Sequence, residues 1–214
     1  MTDLANNHSS TLPAAREDVD QLSVTSSRAA SFTVPTLSKE EGDATANCLQ
    51  EQLVSLSQLA LTLKHVHWNV VGPNFMAIHA MLDPQYEAVG HMVDDLAERI
   101  AALGHVPNAL PSALVDQSQR DEYPLARADA IAHMGALDLT YQQVITSLRS
   151  GINEVGELDA MSEDLLVGQT RELERFHWFV RSHLADWAGG MADAGASSAM
   201  QAAQSVAVKG KRDQ

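Results

Sequence analysis

The chain has 214 residues, 45% of them hydrophobic, and a formal net charge of −14 at pH 7. This length fits one domain of ordinary size with a buried core, and no stretch approaches the roughly 18 uninterrupted apolar residues that a membrane span needs. The first residues lack a basic region followed by an apolar run, so the sequence predicts no secretory signal, a cytoplasmic location and no membrane partner.

The charge is distributed unevenly along the chain. Residues 1–37 carry −2 and residues 189–214 carry +1, which leaves −13 on residues 38–188. Such an acidic body attracts cations and repels nucleic acid. Any contact with DNA must therefore come through the ends of the chain or through bridging cations.

Both ends of the chain lack a sustained hydrophobic period. Residues 1–37 are rich in Ser, Thr, Ala and Asn, and residues 189–214 have a similar composition. We expect these segments to be flexible tails, because neither can build a core alone.

Four long helices are predicted between the tails, over residues 38–188. The first begins at Ser38 and Glu41, which have capping-box spacing, and ends before Gly72-Pro73. The others are predicted at about Asn74 to Leu103, Ala126 to Val155 and Ser162 to Ala188, with a short helix near Ser112 to Asp116. No alternating hydrophobic pattern predicts a β-strand in this part of the sequence. Four long helices with one long central connection predict an all-α, ferritin-like four-helix bundle with a short extra helix in the connection between helices two and three.

Two histidines flank the Gly72-Pro73 break. His67 lies five residues before Gly72 and His79 lies six residues after Pro73, so a hairpin folded here brings both imidazoles to similar height on facing helices. Asp83 follows His79 by four residues and therefore shares its helix face, one turn further on. Two imidazoles and a carboxylate predict half of a metal site, suited to iron and also to zinc or manganese.

A second acidic pair, Asp94 and Glu98, lies further along the same predicted helix with the same spacing of four residues. Asp94 is about three turns beyond Asp83, but at about 1.5 Å per residue the two are ~16 Å apart, and His79 and Glu98 are ~28 Å apart. One metal ion cannot bridge that distance within one helix. If the two sets share a site, a twofold axis must bring Asp94 and Glu98 of one subunit to the histidine set of another, which gives two equivalent sites per dimer.

Each of these residues also has a simpler explanation. The histidines could be packed or surface residues, Asp94 and Glu98 could belong to a solvated face, and Trp68 could be ordinary interface packing. A complete di-iron site within one chain is excluded, because it needs two Glu-x-x-His pairs and only Glu174–His177 fits.

Two further histidines are not predicted to bind the metal directly. His65 is two residues from His67 and faces elsewhere on the helix, so it is predicted to be structural. His91 lies seven residues before Glu98 on the same face, which makes it a weak candidate for supporting a ligand.

At these residues the chain resembles the Dps family, the mini-ferritins named for DNA protection during starvation. The resemblance is carried by "HWNVVGPNFMAIHAMLD" followed by "DDLAER", and extends from about Ser38 to Leu184, including "ERFHWFVRSHL". It implies that His67, His79 and Asp83 of one subunit and Asp94 and Glu98 of its twofold mate are the ferroxidase ligands, with Trp68 beside them.

The resemblance also implies an activity and an assembly. A Dps protein is expected to form a hollow homo-oligomeric shell, a dodecamer built from twofold dimers. It would oxidise Fe(II) to Fe(III) with hydrogen peroxide, or more slowly with oxygen, and store the ferric mineral inside. Iron is the implied metal in both oxidation states.

Two groups of charged residues complete the sequence-based hypothesis. Acidic residues around the third turn are pore candidates: Glu154, Glu157, Asp159, Glu163 and Asp164. The C-terminal Lys209, Lys211 and Arg212 are candidates for non-specific DNA binding, which would fade with salt. A solvated charge run is the alternative for the acidic group. For the whole protein, the alternatives are a nucleoid-associated DNA-packing protein with an incidental metal site and a bundle that binds zinc structurally.

Overall fold

The structure, a computed structural model, describes residues 30–118 and 121–210, the last three of these without their side chains. Its helices and strands, in chain order, are α1 (Lys39–Asn69), β1 (Val70–Val71), α2 (Phe75–Ala102), α3 (Pro111–Asp116), β2 (Ala128–Asp129), α4 (Ala130–Val155), α5 (Ala160–Ser182) and α6 (Ala199–Gly210). The predicted capping box is confirmed: the Ser38 hydroxyl accepts a hydrogen bond from the Glu41 amide, and the Glu41 carboxylate accepts one from the Ser38 amide.

The turn between α1 and α2 depends on a glycine. Gly72 has a φ of 102°, in the left-handed region that favours glycine, and a Cβ added there would lie 2.7 Å from a carboxylate oxygen of Asp129. The turn therefore has both a conformational and a steric requirement for Gly72. It folds α2 back against α1, as the predicted hairpin requires.

The four long helices form a bundle in which α1 contacts α2 and α4, and α5 contacts α4 and α2. The short strands β1 and β2 pair in parallel, Val70 with Ala128 and Val71 with Asp129, so the end of α1 meets the start of α4. Because α2 and α4 both run antiparallel to α1, they are parallel to each other. The connection between them therefore spans the length of the bundle and contains α3, which confirms the predicted architecture.

Leucines of α1 form one side of the core. Leu49, Leu53, Leu56, Leu59 and Leu63 are fully buried at steps of three and four residues, as an amphipathic helix requires. One buried polar contact crosses the bundle from α4 to α2: the Tyr141 hydroxyl donates to a Gln85 side-chain oxygen at 2.6 Å. Among the described residues no helix combines the length and the apolar character that a membrane crossing demands.

The ends of the chain differ from the prediction of flexible tails. Residues 199–210 of the segment predicted as the tail 189–214 form α6, which packs on α4 and buries Ala202, Ala203 and Val206. Within the predicted tail 1–37, the Ala30 amide donates to the Gly104 carbonyl at 2.6 Å, which attaches residues 30–37 to the bundle. The packed body is therefore larger at both ends than residues 38–188.

Two helix boundaries and the strands also differ. The third long helix begins at Ala130 rather than near Ala126, because Asp129 caps it through the Ile131 amide. The fourth ends at Ser182 rather than near Ala188, and the chain then turns into a tight loop around Asp186. The sequence also gave no sign of β1 and β2, which are too short for a periodic pattern.

Candidate metal centre

The hairpin at the end of α1 and the start of α2 brings His67 and His79 together. Their rings stack with centroids 3.7 Å apart and an interplanar angle of 27°. The ring of Phe75 lies 4.9 Å from that of His79 and covers one side of the pair. The predicted juxtaposition of the two imidazoles is thus present within a single chain.

Each histidine is oriented by the backbone of the other helix. The Nδ1 atom of His67 lies 3.2 Å from the carbonyl oxygen of His79, and the Nδ1 atom of His79 lies 3.0 Å from the carbonyl oxygen of His67. When an Nδ1–H group donates to a carbonyl, the other ring nitrogen, Nε2, keeps the lone pair that a metal ion requires. This reciprocal pairing therefore suits both rings for metal binding through Nε2.

Asp83 completes the cluster on the same side of the hairpin. One of its carboxylate oxygens lies 3.3 Å from Nδ1 of His67 and accepts a hydrogen bond from the Lys64 ammonium at 2.6 Å. The hydrogen bond from Lys64 is the main cause that lowers the pKa of Asp83. The carboxylate is therefore held in the ionised form that binds a cation.

The sequence did not point to Lys64, whose ammonium is bonded to the Asp83 carboxylate in this structure. Its ammonium also lies 4.8 Å from the ring centroid of Tyr86, a cation–π contact. The available signal was its position three residues before His67, which places it on the same face of α1. A cation that binds Asp83 must compete with this ammonium.

Asp94 and Glu98 lie far from the histidines on the same helix. Both are exposed, and neither has a hydrogen bond or ion pair with any residue that the structure describes. Arg99 does not neutralise Glu98, because its guanidinium is bound to Asp159 and Ser162. These two carboxylates, one helical turn apart, are free to bind a group outside the chain.

The described part of the chain contains no complete metal site. Across residues 30–118 and 121–210, no three His, Cys, Asp or Glu side chains are arranged so that they could hold a metal ion together. The cluster of His67, His79 and Asp83, which we call the histidine half-site, therefore needs further ligands. Asp94 and Glu98, which we call the acidic pair, cannot supply them from the same helix, because ~16 Å or more of helix lies between.

Large apolar side chains are exposed beside the histidine half-site. Trp68 is 72% exposed and Met76 is 67% exposed, one at the end of α1 and the other at the start of α2. Large exposed apolar patches are typical of surfaces that bind a partner. Trp68, which follows His67 directly in sequence, is therefore an exposed apolar residue at the half-site.

The two histidines given lesser roles differ in their surroundings. Nε2 of His65 lies 2.7 Å from the carbonyl oxygen of Leu125, and its ring meets that of Tyr123 edge to face, so His65 attaches the long connection to α1. This agrees with the structural role predicted for it. His91 is exposed on α2.

The acidic pore candidates do not form one uniform group. Glu154, Glu157 and Asp164 are exposed and Glu163 is partly buried. Asp159 is buried, caps α5 through the Met161 and Ser162 amides, and forms an ion pair with Arg99. Burial favours a higher pKa for Asp159, but hydrogen bonds from Ser162 and Arg99 outweigh it and lower the pKa. We therefore assign Asp159 a structural role and keep the other four as candidates.

The predicted DNA-binding residues are at the edge of the described chain. Lys209 belongs to α6, but only its backbone is described. Lys211 and Arg212 lie outside the described residues. Their role in DNA binding stays a prediction.

Comparison with known proteins gives a consistent family assignment. The ferritin-like domain family matches residues 46–189. The DNA protection during starvation protein of Mycolicibacterium smegmatis is 46% identical over 173 residues, which are 81% of this chain and 94% of that protein.

Solved structures agree with this assignment. DpsA14 from Streptomyces coelicolor has 50% sequence identity and a TM-score of 0.76, with 77% of this chain and 98% of that chain covered. The structure of Dps from Microbacterium arborescens in the high iron form has 28% identity and a TM-score of 0.67, with 72% of this chain and 99% of that chain covered. Since both sequence and fold match over most of their length, the chain belongs to the Dps family of ferritin-like proteins.

Proposed function

We propose that this protein is a ferroxidase of the Dps type. It oxidises Fe(II) with hydrogen peroxide, or more slowly with oxygen, at sites shared between twofold-related subunits. The ferric product is stored as mineral inside a hollow homo-oligomeric shell, a dodecamer, and DNA is thereby protected from oxidative damage. The observation that carries the proposal is the separation of an ordered histidine half-site from an exposed, unpartnered acidic pair on the same helix.

A twofold axis across α2 accounts for this separation. Two copies of α2 related by such an axis run antiparallel, so the start of one helix lies beside the later turns of the other. The acidic pair of each subunit then faces the histidine half-site of its mate. The exposed Trp68 and Met76 become buried in the same contact, which adds a hydrophobic contribution to the interface.

The ligand set suits iron as substrate. Two imidazoles and a carboxylate with open positions are a ligand set that non-haem Fe(II) proteins use. The Microbacterium arborescens relative, whose structure is described as a high iron form, supports iron as the metal. Two Fe(II) ions each give one electron to hydrogen peroxide, which is reduced to two hydroxide ions, so no hydroxyl radical is released.

Acidic side chains would guide the cation to these sites. Residues 38–188 carry −13 of the net charge of −14, which raises the local concentration of Fe(II). Glu154, Glu157, Glu163 and Asp164 are our candidates for lining a pore, since they cluster where α4 turns into α5.

DNA protection has two components in this proposal. Removal of Fe(II) and peroxide protects DNA without contact. A non-specific contact is assigned to Lys209, Lys211 and Arg212, repeated on every subunit of the shell, and it places the protein in the cytoplasm near the nucleoid. This contact should weaken steeply with salt. Retardation of DNA that is unchanged after removal of residues 206–214 would exclude this end of the chain as its cause.

The proposed activity is tested by mixing the purified protein with Fe(II) and hydrogen peroxide. We expect peroxide to be consumed at one molecule per two Fe(II) and the iron to travel with the protein when the mixture is separated by size. Stoichiometric metal binding without peroxide consumption would instead identify a structural metal site. A monomer-sized elution position would contradict the shared site.

A further inference from the structure

The C-terminal segment, residues 183–210, folds back over the bundle through α6. Its helix approaches α4 closely, since a Cβ added to Gly135 would lie 2.9 Å from the backbone oxygen of Ala202. The contact is made by small side chains, among them the buried Ala132, Ala136 and Ala203. Small apolar groups bury little area per residue, so this docking is weaker than that of a leucine-rich helix.

The same segment contains a buried carboxyl group. Asp193 lies in the connection between α5 and α6 and is only 5% exposed. Its Oδ2 atom has no hydrogen-bond partner among the described residues. A buried carboxylate oxygen without a donor is costly, so this group is under strong pressure to carry a proton.

The group that faces Asp193 is another carboxylate. Asp138 of α4 is also buried, and its carboxylate is near enough to raise the pKa of Asp193. On its other side, Asp138 accepts a hydrogen bond from Nε2 of His177 at 2.7 Å, and Nε of Arg181 lies 3.6 Å from it. Both of these side chains belong to α5.

Arg181 of α5 also acts on Asp193 and favours its ionised form, but burial and Asp138 outweigh this effect. Residues 199–207 of α6 contain no titratable side chain, and His183 and Asp186 of the connection are exposed. The ring of Tyr141 stacks on His177 at 6.0 Å, and its hydroxyl is bonded to Gln85. Burial is the largest cause that raises the pKa of Asp193, and the Asp138 carboxylate raises it further.

Two adjacent buried carboxyl groups are stable when they share one proton. With the proton on Asp193, its hydroxyl can donate to Asp138, and the orphaned oxygen no longer carries full charge. Without the proton, two negative charges repel each other across the contact between the C-terminal segment and α4.

We propose that a proton held between Asp193 and Asp138 latches the C-terminal segment onto the bundle, so that its docking strengthens as the pH falls and loosens as the pH rises. The latch is independent of the proposed ferroxidase activity. It makes the docking of α6, which contains Lys209, responsive to pH.

The direction in which docking changes with pH follows from the linkage between proton binding and docking. The pKa of Asp193 is raised in the docked state. The stabilisation is therefore fully present below the ordinary carboxyl pKa of about 4, and it is lost as the pH rises through the docked-state value. Because one proton is lost per segment, the equilibrium constant for docking falls by up to about tenfold per pH unit within this window.

Hydrogen exchange of residues 199–207 measures the docking directly. The exchange rates of the wild type and of each variant are compared over a pH series, after correction for the intrinsic pH dependence of amide exchange. In the wild-type protein we expect protection to decrease with rising pH. In Asp193→Asn we expect protection without pH dependence, because the amide cannot ionise. Asp95→Asn, which removes an exposed carboxylate of α2, should behave like the wild type.

A second variant tests the other side of the contact. Asp138→Asn keeps an oxygen acceptor for His177 but removes the facing charge, and it should also flatten the pH dependence. Exchange of α2, residues 75–102, reports whether the bundle stays folded in each variant.

Three outcomes would overturn the latch. The first is protection of residues 199–207 that does not depend on pH in the wild type. The second is loss of protection in Asp193→Asn at every pH while α2 stays protected, which would mean that a charged Asp193 holds the segment through Arg181. The third is protection that requires a divalent cation and not a proton.

Discussion

The two halves of α2 differ in what the rest of the chain provides for their functional side chains. At its start, His79 and Asp83 are bonded to groups of α1, and the His67 and His79 rings are stacked at 3.7 Å. In its later turns, Asp94 and Glu98 are exposed and have no partner in the described chain. One half is preorganised before any ligand arrives, whereas the other is available for a group that the chain does not supply.

In our account the two halves of α2 contribute to metal binding in different ways. A rigid half-site reduces the entropy lost when a ligand binds. An acidic pair without local partners carries no internal bond that a second subunit would have to break. Assembly and metal binding are therefore coupled in our account, because the subunit contact completes the ligand set.

The largest expected effect comes from removing one carboxylate of the acidic pair. Glu98→Gln should lower the initial rate of peroxide-dependent Fe(II) oxidation on the order of 10–100-fold, a range typical for loss of a group that sets metal affinity. Its stability should stay within about 0.5 kcal/mol of the wild type, because Glu98 is exposed and unpartnered.

The neighbouring exposed carboxylate provides the matched control for this prediction. Asp95→Asn removes the same charge from the adjacent position of α2 and should retain the wild-type rate within about twofold. Equal losses in both variants would mean that general negative charge, not a ligand at Glu98, supports the reaction.

A second prediction concerns why Glu98 is unpartnered. Arg99 is bound to Asp159, so Asp159→Asn should free its guanidinium and destabilise the fold by about 2 kcal/mol through loss of a charged hydrogen bond. Urea unfolding measures this change. The difference should vanish in acid, because the lowered pKa of Asp159 means that its contribution is present above pH ~4 and lost as the pH falls through the folded value.

The smallest effect is expected at the histidine half-site. Lys64→Met removes the ammonium that binds Asp83, so the pKa of Asp83 should rise towards the ordinary carboxyl value of about 4, measurable by NMR titration of the carboxyl carbon. Fe(II) should bind severalfold more tightly, since it no longer displaces an internal cation. Weaker binding would show that Lys64 positions Asp83 and does not compete for it.

Much of the architecture could be predicted from local patterns. Ser38 and Glu41 fix the start of α1, and the leucines that follow every three or four residues mark its buried face. Helix spacing also predicted that His67 and His79 meet and that Glu98 is too far from them. These features depend on residues close in sequence, where helical geometry sets the distances.

Features that depend on tertiary contacts could not be predicted. The apolar face of α6 consists mainly of alanines, and its docking depends on the close approach at Gly135, which no periodicity reveals. Asp159 resembled its acidic neighbours in sequence, yet its contact with Arg99 sixty residues away buries it. Lys64 resembled a surface lysine until α2 folded back and placed Asp83 beside it.

The central claim is that each metal site is built from two subunits. The direct measurement uses His79→Ala and Glu98→Ala proteins, dissociated, mixed in equal amounts and reassembled. In a mixed dimer, one site combines both defects and the other combines an intact histidine half-site with an intact acidic pair.

Random mixing makes half of the dimers mixed, so about one quarter of all sites should be intact under twofold symmetry. We predict that Fe(II) oxidation recovers to about one quarter of the wild-type rate, well above either variant alone. A mixture that stays at the average of the two separate variants would contradict the shared site.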